Sequence, residues 1–300
     1  MNHTGNASPR VRIELQIELG YRIDPPGADF IFNIHPAYTP CQAVSAEQLR
    51  LSQPIPADIH TDLRTGNRYM RLRAQAGELR VSYRATVDLQ HHRADPSALQ
   101  EIPIHRLPLE VLGYIYPSRY CESDKLLRLA MKQFGGLAQG YRRVQAIMSW
   151  VQQQITYTSN TSNPRTSAVE TLVEQVGVCR DFAHLMIALC RAVNIPARFT
   201  TGTDYGASPS LGPPDFHAYV EVYLGDRWYI FDPSGTGIPM GFVRIGTGRD
   251  AADVAFATIF GGVMPTSGPV VRAVAVEDGA LGFIRPHHTE LAVSTGTQSM

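Results

Sequence analysis

Two stretches near the start of the chain alternate strictly between apolar and polar residues. In VRIELQIELGYRI, residues 11–23, every odd-numbered position is apolar, and residues 79–89 repeat the pattern. A period of two is typical of strands with one buried face, and Pro-, Gly- and Asn-rich turns lie between the two stretches. We therefore predict an antiparallel, β-sandwich-like domain over residues 10–105, preceded by a disordered tail over residues 1–9.

The apolar period becomes helical after a Pro-containing segment without periodicity. Four segments carry apolar residues at helical spacing with start or stop signals at their ends: 123–134, 141–155, 167–177 and 179–193. Ser167 and Glu170 have the spacing of a capping box. The segment from Cys179 predicts a buried helix of about four turns, with Cys179 in the first. Together with the N-terminal strands, these helices indicate an α+β protein.

The segment DFHAYVEVYLGDRWYIFDPSG, residues 215–235, predicts a strand, a turn and a second strand. A two-residue turn at Gly225-Asp226 places His217 and Asp232 on the same face of the hairpin, whereas a simple three-residue loop separates them. With the two-residue turn, the opposite face is uniformly apolar from Ala218 to Leu224. We interpret that apolar face as core and the face of His217, with Tyr219, Glu221, Trp228 and Ile230, as a site.

Composition and charge narrow the possible functions. The 300 residues are 44% apolar, and 27 Lys and Arg balance 27 Asp and Glu. This balance gives no reason to expect nucleic acid or an acidic membrane surface as a partner. No apolar stretch resembles a signal peptide or a membrane span, so we expect a cytoplasmic protein. The four cysteines lack CxxC spacing and the histidine pairs lack partners at ligand spacing, so we expect no metal, disulfide or cofactor. The oligomeric state is not indicated.

Cys179, His217 and Asp232 are the candidate catalytic residues. The first turn of a helix favours a thiolate, whereas Cys190, three turns further along, is interpreted as core. A carboxylate beside an imidazole, and an imidazolium beside a thiol, supply the orienter, base and nucleophile of a cysteine enzyme. The Cys179 N–H is a candidate oxyanion donor, and Tyr157, Ser159 and Asn160 stay open as the second. Taken singly, each of the three residues has a structural alternative: a packed thiol, a strand histidine and a turn aspartate.

Two neighbours of Cys179 are given supporting roles. Asp181 is expected to cap its own helix or to pair with Arg180. His184 lies about 140° around the helix from Cys179, so we expect it in the core or in contact with site residues.

Three segments, GVCRDFAHLMIALCRAVNIPAR, DFHAYVEVYLGDRWYIFDPSG and YPSRYCESD, resemble the bacterial transglutaminase-like superfamily. The resemblance extends from residue 10 to about 262 and keeps the family's order. It implies a papain-like, transglutaminase-like α+β core over residues 106–265 behind the N-terminal β-domain. A partly disordered C-terminal extension then covers 266–300, with disorder expected in its last part, residues 285–300. By the same resemblance, Cys179 is the nucleophile, His217 the general base and acid, and Asp232 the orienting carboxylate.

The predicted activity is attack of a thiol on an amide carbonyl of a peptide or protein. The resulting thioester passes its acyl group to water, in a peptidase or amidase, or to another amine, in an acyltransferase. Hydrolysis is favoured because water is always available and no amine-binding pocket is recognisable. The alternative is a non-catalytic binding module in which the transglutaminase-like core is only a scaffold.

Overall fold

The structure, a computed structural model, describes residues 10–212 and 214–296. The tail predicted to be disordered, residues 1–9, lies outside the described residues. The described strands are β1 Val11–Ile23, β2 Ala28–Phe32, β3 Gln42–Leu51, β4 Asp58–Thr61, β5 Arg68–Ala74, β6 Gly77–Leu89, β7 His92–Ala94, β8 Thr156–Tyr157, β9 Val176–Gly177, β10 Ala197–Thr203, β11 Phe216–Leu224, β12 Arg227–Phe231, β13 Gly246–Gly248, β14 Ala257–Phe260, β15 Val263–Pro265, β16 Val270–Val276 and β17 Ala292–Ser294. The α-helices are α1 Ser123–Phe134, α2 Tyr141–Gln154, α3 Ala168–Glu174 and α4 Cys179–Ala192.

The N-terminal region forms two antiparallel sheets that share one apolar core. β1 and β6, the two stretches of strict alternation, pair along their whole length from Val11 opposite Leu89 to Ile23 opposite Gly77. β3 extends this sheet, and a second sheet has the order β14-β2-β5-β4. The apolar positions of β1 and β6 are buried against Phe30, Phe32 and other residues of the second sheet. The predicted N-terminal β-domain and the α+β class are therefore confirmed.

Strands from the last third of the chain complete these N-terminal sheets. β14 pairs with β2, while β15 and β16 pair with β1. The transglutaminase-like core was predicted to end at residue 265, with a separate extension from residue 266. This boundary is wrong, because strands on both sides of it belong to the N-terminal sheets. The physical reason is that β6 covers one edge of the thirteen-residue β1, and the other edge needs partners.

The C-terminal segment also differs from the disorder expected over residues 285–300. β17 pairs with β7, and Ala292 and Val293 are buried in the two main cores. Packing of these two side chains explains why residues 292–294 form a strand. The mostly polar composition of the segment gave no indication of this packing. Residues 297–300 lie outside the described residues.

Helix α4 lies at the centre of the second half of the chain. Its residues from Asp181 to Ala192 are all buried, and it packs against the other three helices and against β10 and β11. The predicted capping box begins α3, where the Ser167 N–H donates to the Glu170 carboxylate at 2.8 Å and Glu170 N–H to Ser167 Oγ at 3.5 Å. Among the described residues, no helix combines the length and apolar character needed to cross a bilayer.

The sheet beside α4 has the order β12-β11-β10-β13, and its central hairpin has the predicted two-residue turn. Leu224 lies opposite Arg227 and Val220 opposite Phe231, and Gly225 and Asp226 both have positive φ, at 52° and 68°. Such a turn matches the right-handed twist of the two strands. His217 and Asp232 therefore lie on the same side of the hairpin.

The two faces of β11 are both covered. The apolar face from Ala218 to Leu224 packs on α4, as predicted. The opposite face was predicted to be a site, but Tyr219 and Ile230 are buried in the core shared with the N-terminal sheets. The candidate site is therefore confined to the end of this face that holds His217.

A buried ion-pair network lies on the same face of β11 as His217. Glu221 Oε2 lies 2.7 Å from Arg198 Nε and 3.8 Å from Arg244 Nη1. Both guanidinium groups are almost fully buried, and the Arg244 backbone N–H donates to Gln42 of the N-terminal sheets at 2.9 Å. The network therefore compensates two buried cations where the two halves of the chain meet.

We expect Glu221→Gln to lower the free energy of unfolding by about 3 kcal/mol, because it leaves two buried guanidinium groups without a counter-charge. Urea denaturation measures the loss. Asp29→Asn is the matched control, since Asp29 and Arg73 form an exposed pair at 3.0 Å whose loss costs less than about 1 kcal/mol. Equal losses in the two variants would contradict the importance of the buried network.

Candidate functional site

Cys179 is the first residue of α4, and its neighbours fix the start of the helix. The chain enters through β9, which pairs in parallel with β8. The buried Asp181 accepts a hydrogen bond from the Val178 N–H at 2.9 Å and forms an ion pair with Arg180 at 3.1 Å. It thus makes both of the contacts considered from the sequence. A Cβ at Gly177 would lie 2.8 Å from the Asp181 Cβ, so the close approach requires glycine there.

His217 lies near the start of β11, and Asp232 follows β12 directly. His217 Nε2 is 3.2 Å from Asp232 Oδ1, an ion pair whose geometry is not that of a straight hydrogen bond. Asp232 is held from its other sides, because Ser234 Oγ donates to Oδ1 at 2.7 Å and the Gly237 N–H to Oδ2 at 3.1 Å. Cys179 lies close enough to His217 to affect the pKa of its ring, and the two residues line the same cleft. The structure therefore brings all three predicted residues together.

The charges of this cluster favour an imidazolium. Burial by itself would lower the pKa of His217, but the Asp232 carboxylate and, to a smaller extent, negative charge on the Cys179 sulfur raise it to about 10. Burial would raise the pKa of Asp232, but the charge of His217 and the hydrogen bonds from Ser234 and Gly237 hold it below its usual range. The Asp232 carboxylate and the His217 ring are thus both charged at neutral pH.

Cys179 and His217 open onto a cleft of about 770 Å³. Its walls are the segment before α3, the loop between β10 and β11, and β16 of the N-terminal sheets. The three candidates for a second oxyanion donor, Tyr157, Ser159 and Asn160, all line it. Both halves of the chain therefore shape the space in front of the thiol.

Four charged or apolar side chains of this cleft were missed by the sequence analysis: Asp204, Asp215, Arg272 and Val274. The two aspartates lie in the loop between β10 and β11, and the Asp215 N–H donates to Asp204 Oδ2 at 3.2 Å. Burial raises the pKa of Asp204. Arg272 and Val274 belong to VVRAVAV, a short apolar run interrupted only by Arg272 and rich in β-branched valine, which is the sequence signal for this strand.

The other candidates lie in the core. Cys190 is fully buried, and burial raises the pKa of its thiol. His184 is stacked on Tyr120, accepts a hydrogen bond from the Ala251 N–H at 3.1 Å, and has a pKa lowered by burial. Over residues 10–212 and 214–296, no group of three His, Cys, Asp or Glu side chains is arranged to hold a metal ion.

Comparison with known proteins identifies the family. The chain is 37% identical to a "putative cysteine protease" from Cytophaga hutchinsonii, and the crystal structure of that protein superposes with a TM-score of 0.87. The match covers 96% of this chain and 98% of the other. Family models for the transglutaminase-like superfamily and for the bacterial transglutaminase N-terminal domain match residues 128–233 and 11–110. The chain belongs to the transglutaminase-like superfamily.

Two mycobacterial proteins show lower identity or shorter matches to this chain. An uncharacterized protein of Mycobacterium leprae is 25% identical over 61% of this chain and 68% of its own length. An uncharacterized protein of Mycobacterium tuberculosis is 31% identical over 36% of this chain, and the match spans 38% of that relative. The predicted family is thus confirmed, with its N-terminal domain.

We expect the His217 ring to stay protonated through neutral pH and to lose its proton near pH 10. In Asp232→Asn the main counter-charge is gone, and burial then favours the neutral ring at pH 7. The ¹⁵N chemical shifts of the ring, measured against pH, report this change. The buried, neutral His184 is the internal control. A wild-type midpoint near 6.5, or no effect of Asp232→Asn, would contradict the ion pair.

Proposed function

We propose that the protein is a thiol-dependent amide hydrolase or acyltransferase that acts on peptides or proteins. Cys179 is the nucleophile, His217 the general base and acid, and Asp232 the orienting carboxylate. The observation that carries the proposal is the buried His217 between Asp232, at 3.2 Å, and Cys179, with the thiol opening onto a cleft. A packed structural histidine needs neither a second charged partner nor access to solvent.

The geometry supports a two-step reaction. The Cys179 thiolate attacks the amide carbonyl carbon, and the carbonyl oxygen becomes an oxyanion near the start of α4. Within the described part of the chain the Cys179 N–H has no hydrogen-bond partner, so it is available to this oxyanion. His217 then gives its proton to the departing amine, and a thioester is left on Cys179.

The second step returns the thiol. His217, now neutral, takes a proton from water or from a second amine as either attacks the thioester carbonyl. The acyl group leaves as an acid or as a new amide, and Asp232 holds the ring in place through both steps. We favour hydrolysis, which accords with the description of the Cytophaga hutchinsonii protein as a "putative cysteine protease".

Iodoacetamide labelling followed by peptide mass spectrometry tests the thiolate. At pH 7 we expect Cys179 to react about 30-fold faster than an ordinary thiol, and His217→Ala to remove that advantage. Cys41 is an internal control, because it is partly exposed and burial raises the pKa of its thiol. Slow labelling of Cys179 that does not respond to His217→Ala would favour the binding-module alternative.

Turnover of reduced, carboxymethylated casein tests the activity. New amino groups in the casein indicate hydrolysis, and incorporation of a dansylated primary amine indicates transfer. We expect Cys179→Ala to lower the rate at least about 10⁴-fold, because covalent catalysis is lost. Cys41→Ala, the matched cysteine variant outside the cleft, should keep the wild-type rate. Equal rates in the two variants would exclude Cys179 as nucleophile.

A further inference from the structure

Strand β16 borders the cleft and has one open edge. It pairs with β1 from Arg12 opposite Val276 to Glu18 opposite Val270. Within residues 10–212 and 214–296, no strand pairs along its other edge. An open edge presents a row of N–H and C=O groups that can pair with another chain.

The direction of the backbone groups on this edge follows from one contact. The Val271 N–H donates to the carbonyl of Pro214, in the cleft loop, at 3.2 Å. It therefore points away from β1, and because N–H groups alternate along a strand, those of Ala273 and Ala275 point the same way. Among the described residues neither of these two N–H groups has a partner.

The open edge faces the candidate nucleophile. Ala273 lines the same cleft as Cys179 and His217, together with the exposed side chains of Arg272 and Val274. The alanine side chains at 273 and 275 point toward the apolar core of the N-terminal sheets and are small. A second backbone can therefore approach this edge closely, as Pro214 already does at Val271.

We propose that the substrate is an extended polypeptide segment that pairs as an added strand with the outer edge of β16 at Ala273 and Ala275. Backbone pairing supplies affinity for unfolded chain of many sequences, while Arg272 and Val274 contact its side chains. The pairing lays the segment along the cleft wall and its reacting amide over Cys179. This inference rests on the proposed function, whose substrate class it narrows to unfolded polypeptide.

Amide hydrogen exchange measured by NMR on Cys179→Ala tests the pairing directly. With saturating reduced, carboxymethylated casein, we expect exchange at Ala273 and Ala275 to slow at least about 10-fold. The Val274 N–H points toward β1 and should not change, so it is the internal control. Unchanged exchange at Ala273 and Ala275 with casein bound, or no binding of casein, would overturn the proposal.

Ala273→Pro and Ala273→Ser form a matched pair for kinetics. Proline at position 273 removes the outward N–H. It does not disturb the hydrogen bonds between β16 and β1, because the backbone of residue 273 takes no part in them. Serine keeps the outward N–H. We expect kcat/KM for casein to be about 10-fold lower in Ala273→Pro than in Ala273→Ser, mainly through KM, because only the serine variant keeps the N–H at this position. Labelling of Cys179 by iodoacetamide should be equal in both.

The two proposals fail in different ways. Equal kcat/KM for Ala273→Pro and Ala273→Ser would overturn strand pairing. If Ala273→Pro does not fold, the hydrogen-exchange experiment decides instead: unchanged exchange at Ala273 and Ala275, or no binding of casein, would overturn it. Absence of His217-dependent labelling in the wild-type protein would overturn the thiol mechanism itself, because labelling does not depend on the substrate.

Discussion

The pairing of β11 with β12 is the constraint on which the candidate site depends. The Gly225–Asp226 turn sets this register, and His217 and Asp232 stand at the open end of the hairpin. A slip of one residue would turn Asp232 to the other face, because side chains alternate along a strand. The same slip would turn Tyr229 and Phe231 of β12 out of the core formed with α4, the helix that begins at Cys179. One register thus holds all three side chains in place.

Buried charge follows β11 along the face that carries His217. His217 is paired with Asp232, and Glu221, four residues further along, is paired with Arg198 and Arg244. A buried charge is tolerated only with a partner, so each group restricts the position of the next element. His217 therefore sits on a strand held by packing on one face and by ion pairs on the other. Such support limits the movement of the imidazole relative to the thiol.

Much of this arrangement could be predicted because it follows from local patterns. The alternation of β1 and β6, the helical spacing from Cys179 and the turn at Gly225-Asp226 are each contained in a short segment. The burial of Tyr219 and Ile230 could not be predicted, because it results from packing of the N-terminal sheets on the hairpin. The pairing of β16 with β1 likewise could not be predicted, because it joins two strands that are separated by most of the chain.

The cleft likewise combines residues that could be predicted from the sequence with others that could not. Cys179, His217 and Asp232 are recognisable in the sequence because the chemistry of a cysteine enzyme, which we propose for them, requires these residue types beside one another. Asp204 and Asp215 lie in an irregular loop without periodicity, so only the folded chain shows that they face the thiol. The open edge of β16 is a property of backbone pairing, which the identities of Ala273 and Ala275 do not reveal.

The pairing of β1 with β16 also affects how the chain is made. Arg12 and Val276 are 264 residues apart in the sequence, so this contact closes a very long loop, and contacts of this kind slow folding. During synthesis β1 and β6 are made before β15 and β16, so one edge of β1 stays unpaired until those strands are added. Glu14 and Glu18, on the exposed face of β1, place negative charge beside this unpaired edge. Charged side chains beside an open strand edge disfavour its pairing with other chains, so the charges that give β1 its alternation also oppose aggregation at this edge.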